Sequence, residues 1–90
     1  MNLEPLFERI RASVSERGWS AGVRLARSGQ VIGAGEDEDE IRLSVSVPSR
    51  TVALTVYLWP DDVDWGCDCG KEACVHAVAA IIATNQARKR

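Results

Sequence analysis

Paired cysteines are the first thing this chain lacks. It carries 3 cysteines in 90 residues, and Cys67, Cys69 and Cys74 crowd into one short segment, whereas a disulfide framework spreads an even set across the chain. Bridging any two of them would close too small a loop to stabilise the fold. Long apolar runs are missing as well. The longest, from Ala77 to Ala83, is far short of the roughly 20 residues that cross a bilayer. No basic segment followed by an apolar one opens the chain, because Glu4, Glu8, Arg9 and Arg11 interrupt Leu3, Leu6 and Phe7. These absences predict no membrane association and an intracellular, reducing, cytoplasmic setting, with nucleoid or nuclear association left open. Nor is there a cationic excess. The net charge is -2, which argues against a domain that coats nucleic acid through bulk electrostatics. The charges are segregated, however: residues 36 to 40 read Glu-Asp-Glu-Asp-Glu, and the sequence closes on Arg88, Lys89 and Arg90. A local basic surface therefore stays open.

What is present is the pattern of one small domain with a modest core, at a size where a disulfide, a metal or a partner commonly supplements the packing. From Asn2 to Arg17, Leu3, Leu6, Phe7, Ile10 and Val14 recur at threes and fours and predict a helix. Asn2 suits its cap, Pro5 its first turn and Gly18 its left-handed stop. The apolar face of this helix reads as core and not as a ligand groove. Trp19 to Arg27 fits either a short helix or an extended connection, the short helix being favoured, with its end at Ser28-Gly29. Val31 and Ile32 predict a brief strand, left through Gly33-Ala34-Gly35 into the acidic run, which reads as a solvated loop because no calcium-loop spacing accompanies it.

The clearest β pattern follows. Ile41, Leu43, Val45 and Val47 alternate with Arg42, Ser44 and Ser46, and after a turn at Pro48-Ser49-Arg50 the residues Val52, Leu54, Val56 and Leu58 alternate with Ala53, Thr55, Tyr57 and Trp59. The second of these strands is apolar or aromatic on both sides, so it is expected centrally in its sheet or covered on its far face. It ends at Trp59-Pro60-Asp61-Asp62. From Val75 an alanine-rich helix striped by Val78, Ala79, Ile81 and Ile82 is expected to pack on the sheet. Its basic end suits the negative pole of the helix dipole. Of Trp19, Trp59 and Trp65, two are expected in the core.

All the cysteines and the single histidine of the chain fall between Cys67 and His76. Four soft or borderline donors gathered so closely are what zinc takes. On an extended strand Cys67 and Cys69 would face one side together, and Gly70-Lys71-Glu72-Ala73 is long enough to turn the chain back. In a regular helix positions two apart diverge by about 200°, so Cys74 is expected in the turn leading into the last helix and His76 in its first turn. The positive end of that helix would stabilise three thiolates. Four protein ligands leave no open coordination position, which favours a structural ion over a catalytic one. The rival readings are a buried thiol with a capping histidine, an iron–sulfur cluster and a Cys–His nucleophile pair lacking an orienting third group.

The order Cys-x-Cys, a short spacer, Cys-x-His and an alanine-rich helix resembles the SWIM-type zinc finger, a ββα module. The resemblance spans Gln30 to about Ala83, with Val31-Ile32, Ile41 to Val47 and Val52 to Leu58 standing where such modules have strands. It implies that Cys67, Cys69, Cys74 and His76 hold one structural zinc ion. SWIM-type modules occur in bacterial Swi/Snf-type helicase-like ATPases, in Mutator-type plant transposases and in some ubiquitin-ligase-related kinases, where they are taken to bind DNA or protein. The expected fold is α+β: an N-terminal helix, a small antiparallel three-stranded sheet, a zinc knuckle and a C-terminal helix around a ββα zinc-finger core. Residues 1–29 form a helical extension and 30–90 the SWIM-like zinc-binding domain, one compact unit together. With no P-loop or catalytic motif, the expected role is not enzymatic and involves no small-molecule substrate. It is a zinc-binding protein interaction module serving a DNA-associated machine such as a Swi/Snf-type helicase-like ATPase. The alternative is a DNA-binding finger that contacts backbone phosphates through Lys71, Arg88, Lys89 and Arg90, with Arg42 and Arg50 beside them.

Overall fold

The computed structural model describes residues 2–47, 51–70 and 74–88. Along the chain these form α1 (Glu4–Ser13), α2 (Glu16–Arg27), β1 (Val31–Glu36), β2 (Ile41–Val45), β3 (Leu54–Trp59), a 3-10 turn (Pro60–Asp62), β4 (Asp64–Cys67) and α3 (Val75–Arg88). The strands make one antiparallel sheet in the order β1-β2-β3-β4. The fold is thus α+β with three helices and four strands, one strand more than the sequence pattern predicts. The predicted turn at Pro48-Ser49-Arg50 lies outside the described residues.

The N-terminal segment is two helices, with the break earlier than Gly18. Pro5 falls in the first turn of α1 as expected, but the cap position is Leu3 and not Asn2, whose side-chain oxygen accepts from the Glu4 amide at 3.1 Å. The helix ends earlier than expected because Val14 turns extended, with φ -115° and ψ 157°. Ser15 then caps α2, its hydroxyl accepting from the Gly18 amide at 3.0 Å. A serine side chain competing for backbone amides breaks a helix that periodicity alone would continue. Gly18 therefore serves the beginning of α2 and is not a stop signal. The elbow lets Phe7 and Trp19 meet edge to face, 5.4 Å between ring centres.

β1 is longer than the predicted Val31-Ile32. Val31 pairs with Val45, and the ladder continues past an irregularity between Gly33 and Gly35 to Glu36 opposite Ile41, so Ala34 is the extra residue of a bulge. β4 escaped the sequence pattern because it is only Asp64–Cys67 long and carries no β-branched residue. The chain reaches it through the 3-10 turn and Val63, which sits in the left-handed region at φ 51°. Arg9 of α1 braces that turn, donating to the Val63 carbonyl and lying over the Trp65 ring at 5.4 Å from its centre. β3 is central, as its two-sided apolar pattern predicts, with Leu54, Val56 and Leu58 buried.

The core is closed by α3. Leu6 and Ile10 of α1, Val45, Val56 and Leu58 of the sheet, and Val78 and Ile81 of α3 are all but inaccessible, and full burial of each such side chain contributes about 1.5–3 kcal/mol. On α3 every residue from Ala77 to Ile82 is buried, and Thr84 with them. A helix buried all round is a central one, and α3 lies between the sheet and the α1–α2 pair, where the sequence suggested a single inward stripe. The approach of α2 is very close: a Cβ on Gly22 would stand 2.2 Å from Cγ1 of Val78.

Candidate metal centre

β4 delivers Cys67 at its last position, and the chain then curls. The Gly70 amide donates to the Cys67 carbonyl at 3.0 Å, and Gly70 takes φ 78°. Cys67-Asp68-Cys69-Gly70 is therefore a hydrogen-bonded reverse turn, with glycine in the last place that such turns favour. The expectation of an extended Cys-x-Cys jaw is corrected here: the turn, and not a strand, gathers the two sulfurs. Asp68 fixes it from the side. Its carboxylate accepts from the Thr55 amide at 3.2 Å and its own amide donates to the Thr55 carbonyl at 3.1 Å, clamping the turn to the start of β3. The sequence reading missed Asp68, and its one signal was an aspartate inside a turn.

Opposite the turn, Cys74 stands immediately before α3 and His76 is its second residue. Cys74 is buried, 4% exposed, and its Sγ accepts from the Ala77 amide at 3.4 Å, the role a capping side chain plays for the open amides of a helix start. Cys67 Sγ and His76 Nδ1 lie 3.7 Å apart, and the ligand atoms of Cys67, Cys69, Cys74 and His76 all fall within 4.8 Å of one another. Zinc bond lengths in a tetrahedral shell separate ligand atoms by roughly 3.5–3.8 Å, so the four need close by about an ångström at most. The cluster could hold a metal ion, and its donor set is one that zinc accepts.

The electrostatics point the same way. Burial pushes the Cys67 thiol up to about 12; the Cys69 amide works against the rise, and the Cys69 and Cys74 thiols add to it. Burial likewise raises Cys74, while the Ala77 amide works against it. Three thiols gathered in partial burial resist becoming three thiolates unless a cation compensates them. A divalent ion supplies that compensation, and the amides opening α3 add a fixed positive partial charge.

The predicted phosphate-contacting strip fares differently. Lys71, Lys89, Arg90 and Arg50 lie outside the described residues. Arg88 pairs with Glu36 at 2.8 Å, and Arg42 pairs with Asp37 at 2.9 Å and with Glu40. Both arginines are thus engaged by the acidic run, which serves as a set of ion-pair partners as well as a loop. Among the described residues no helix is long and apolar enough to cross a membrane. No protein-family model, curated protein or solved structure matches this chain.

Proposed function

We propose that the chain is a zinc-stapled interaction module of the SWIM type, acting by binding and not by catalysis. The observation that carries this reading is the convergence of four ligand atoms within 4.8 Å from two separate elements, the turn after β4 and the start of α3. One ion there joins the edge of the sheet to the central helix, which is how a structural site contributes folding energy. A shell filled by four protein ligands offers no place to a reacting water, which supports the non-enzymatic reading. The order of ligands around a short spacer, with strands before and an alanine-rich helix after, supports the SWIM-type reading. Service to a DNA-associated machine such as a Swi/Snf-type helicase-like ATPase is the role that resemblance suggests. Direct DNA binding is the weaker reading, since a phosphate would have to displace Glu36 from Arg88 and Asp37 and Glu40 from Arg42.

Native mass spectrometry of protein purified without added metal tests the proposal. The expected result is one zinc ion per chain, removed by a chelator together with the cooperative fold. An intact fold that holds no metal in any preparation would overturn it.

A further inference from the structure

The helices of the described residues all pack on one side of the sheet, around α3. The other side is a surface of alternating residues that the core does not use. Its centre is Tyr57 and Trp59, two places apart on β3, their rings nearly parallel at 10° and 6.0 Å between centres. The strand partners keep this surface flat. Gly66 of β4 pairs with Tyr57, and a Cβ there would come within 3.1 Å of the Trp59 ring. Gly35 of β1 pairs with Arg42, whose guanidinium a Cβ would meet at 2.6 Å. Glycine on each side thus lets one side chain lie down over the neighbouring strand.

The rim is acidic. Asp64 pairs with Trp59 across the ladder, and Asp68, just past β4, is bonded to Thr55 of β3; both are exposed. Glu40 accepts the Trp59 indole N–H at 2.9 Å. That bond, with Arg42 beside it, holds the Glu40 carboxyl below the usual carboxylate value. Arg42 is the one cation among the described residues of the four strands, and Asp37 and Glu40 already neutralise it. A flat aromatic pair within a ring of carboxylates repels phosphate and suits the guanidinium plane, which stacks on aromatic faces and donates to carboxylates. The spacing adds a constraint: alternate residues of an extended peptide are about 6.6–6.8 Å apart, close to the 6.0 Å between the two rings.

We propose that this open sheet face docks an extended segment of a partner protein that carries arginine at alternate positions. The assignment rests on the reading of the chain as an interaction module and gives that module's partner its chemistry. The test uses the zinc-loaded protein and a fluorescent peptide of alternating arginine and serine, with an alternating glutamate–serine peptide and an oligothymidylate as comparisons, read by anisotropy. The expected result is saturable binding of the arginine peptide alone. Trp59→Ala should weaken it about tenfold. Asp64→Asn combined with Asp68→Asn, which keeps the acceptor oxygens and removes both charges, should weaken it to a similar degree and flatten its salt dependence. In amide NMR spectra the Tyr57, Trp59 and Gly66 signals should move while those of α2 stay.

Failure of the arginine peptide to bind a folded, zinc-loaded protein would overturn the proposal, as would binding that neither variant weakens. Oligothymidylate binding abolished by Trp59→Ala would replace the peptide with single-stranded nucleic acid. Zinc content measured on the same samples separates the two readings. Peptide binding by a folded protein without zinc would keep the face and remove the metal, and a zinc-loaded protein that ignores the peptide would do the reverse.

Discussion

At the scale of single residues, the ligands and the residues that aim them differ in how openly they can be read. Cys67, Cys69, Cys74 and His76 stand out in the sequence because thiols and imidazoles are scarce in this chain and their chemistry is restricted. Asp68 does not stand out, since an aspartate in a turn looks the same whether or not it clamps that turn to Thr55. The ligands are nevertheless where loss should be felt most. Metal affinity at structural zinc sites is about 10–16 kcal/mol, comparable to or above the roughly 5–15 kcal/mol that holds a domain folded. Cys69→Ser or Cys74→Ser is therefore expected to abolish zinc binding and to leave the segment from Trp65 through α3 unfolded at room temperature. A circular dichroism melt that superimposes on that of the parent protein would contradict this.

At the scale of elements, periodicity located the helices and the central hairpin but not their limits. Leu6 and Ile10 follow the helical stripe and are buried. The break at Val14–Ser15 depends on a side-chain hydrogen bond that no hydrophobic pattern encodes. β4 is similar: Trp65 and Cys67 pack towards the core while Asp64 and Gly66 face out, but four residues are too few for alternation to be told from chance. The packing of α2 on α3 turns on Gly22, which inside a helix looks only like a weakness of propensity. Gly22→Ala raises helix propensity yet drives a methyl against Val78, and overpacking of this kind costs about 1–3 kcal/mol. Urea titration of the zinc-loaded variant should show a lower midpoint. A raised midpoint would mean that the two helices separate freely enough to accept the methyl.

At the scale of the whole molecule, the fold and the ion depend on pH in opposite senses. The Cys67 thiol is shifted from 9.0 to about 12 in the folded chain. A group raised in this way contributes its stability in full below its unfolded value and loses it as the pH climbs through the folded one, because the unfolded chain ionises first. Whatever structure survives chelation should thus weaken between about pH 9 and 12. With zinc bound the thiols are already deprotonated, and acid instead supplies protons that compete with the ion for three sulfurs and one imidazole. The loaded protein should therefore lose melting temperature as the pH falls, in step with zinc release. Melts of loaded and chelated protein across the pH range check both halves, and identical profiles would show that no ion contributes to the fold.

The amino-acid order by itself determined the donor set, its placement between a strand pair and an alanine-rich helix, and the central position of β3, because each rests on residue chemistry or on a period that short-range geometry imposes. Only the tertiary structure decided which face of β3 would be closed. Leu54, Val56 and Leu58 are buried on the side that α3 covers, while Tyr57 and Trp59, equally suited to a core, are left on the open side above Gly66. It also decided that Arg88 would be held by the acidic run, since Glu36 and Arg88 lie far apart in the chain and become neighbours only when α3 packs along β1. Contacts of that range follow from how the layers stack, and no local pattern carries them.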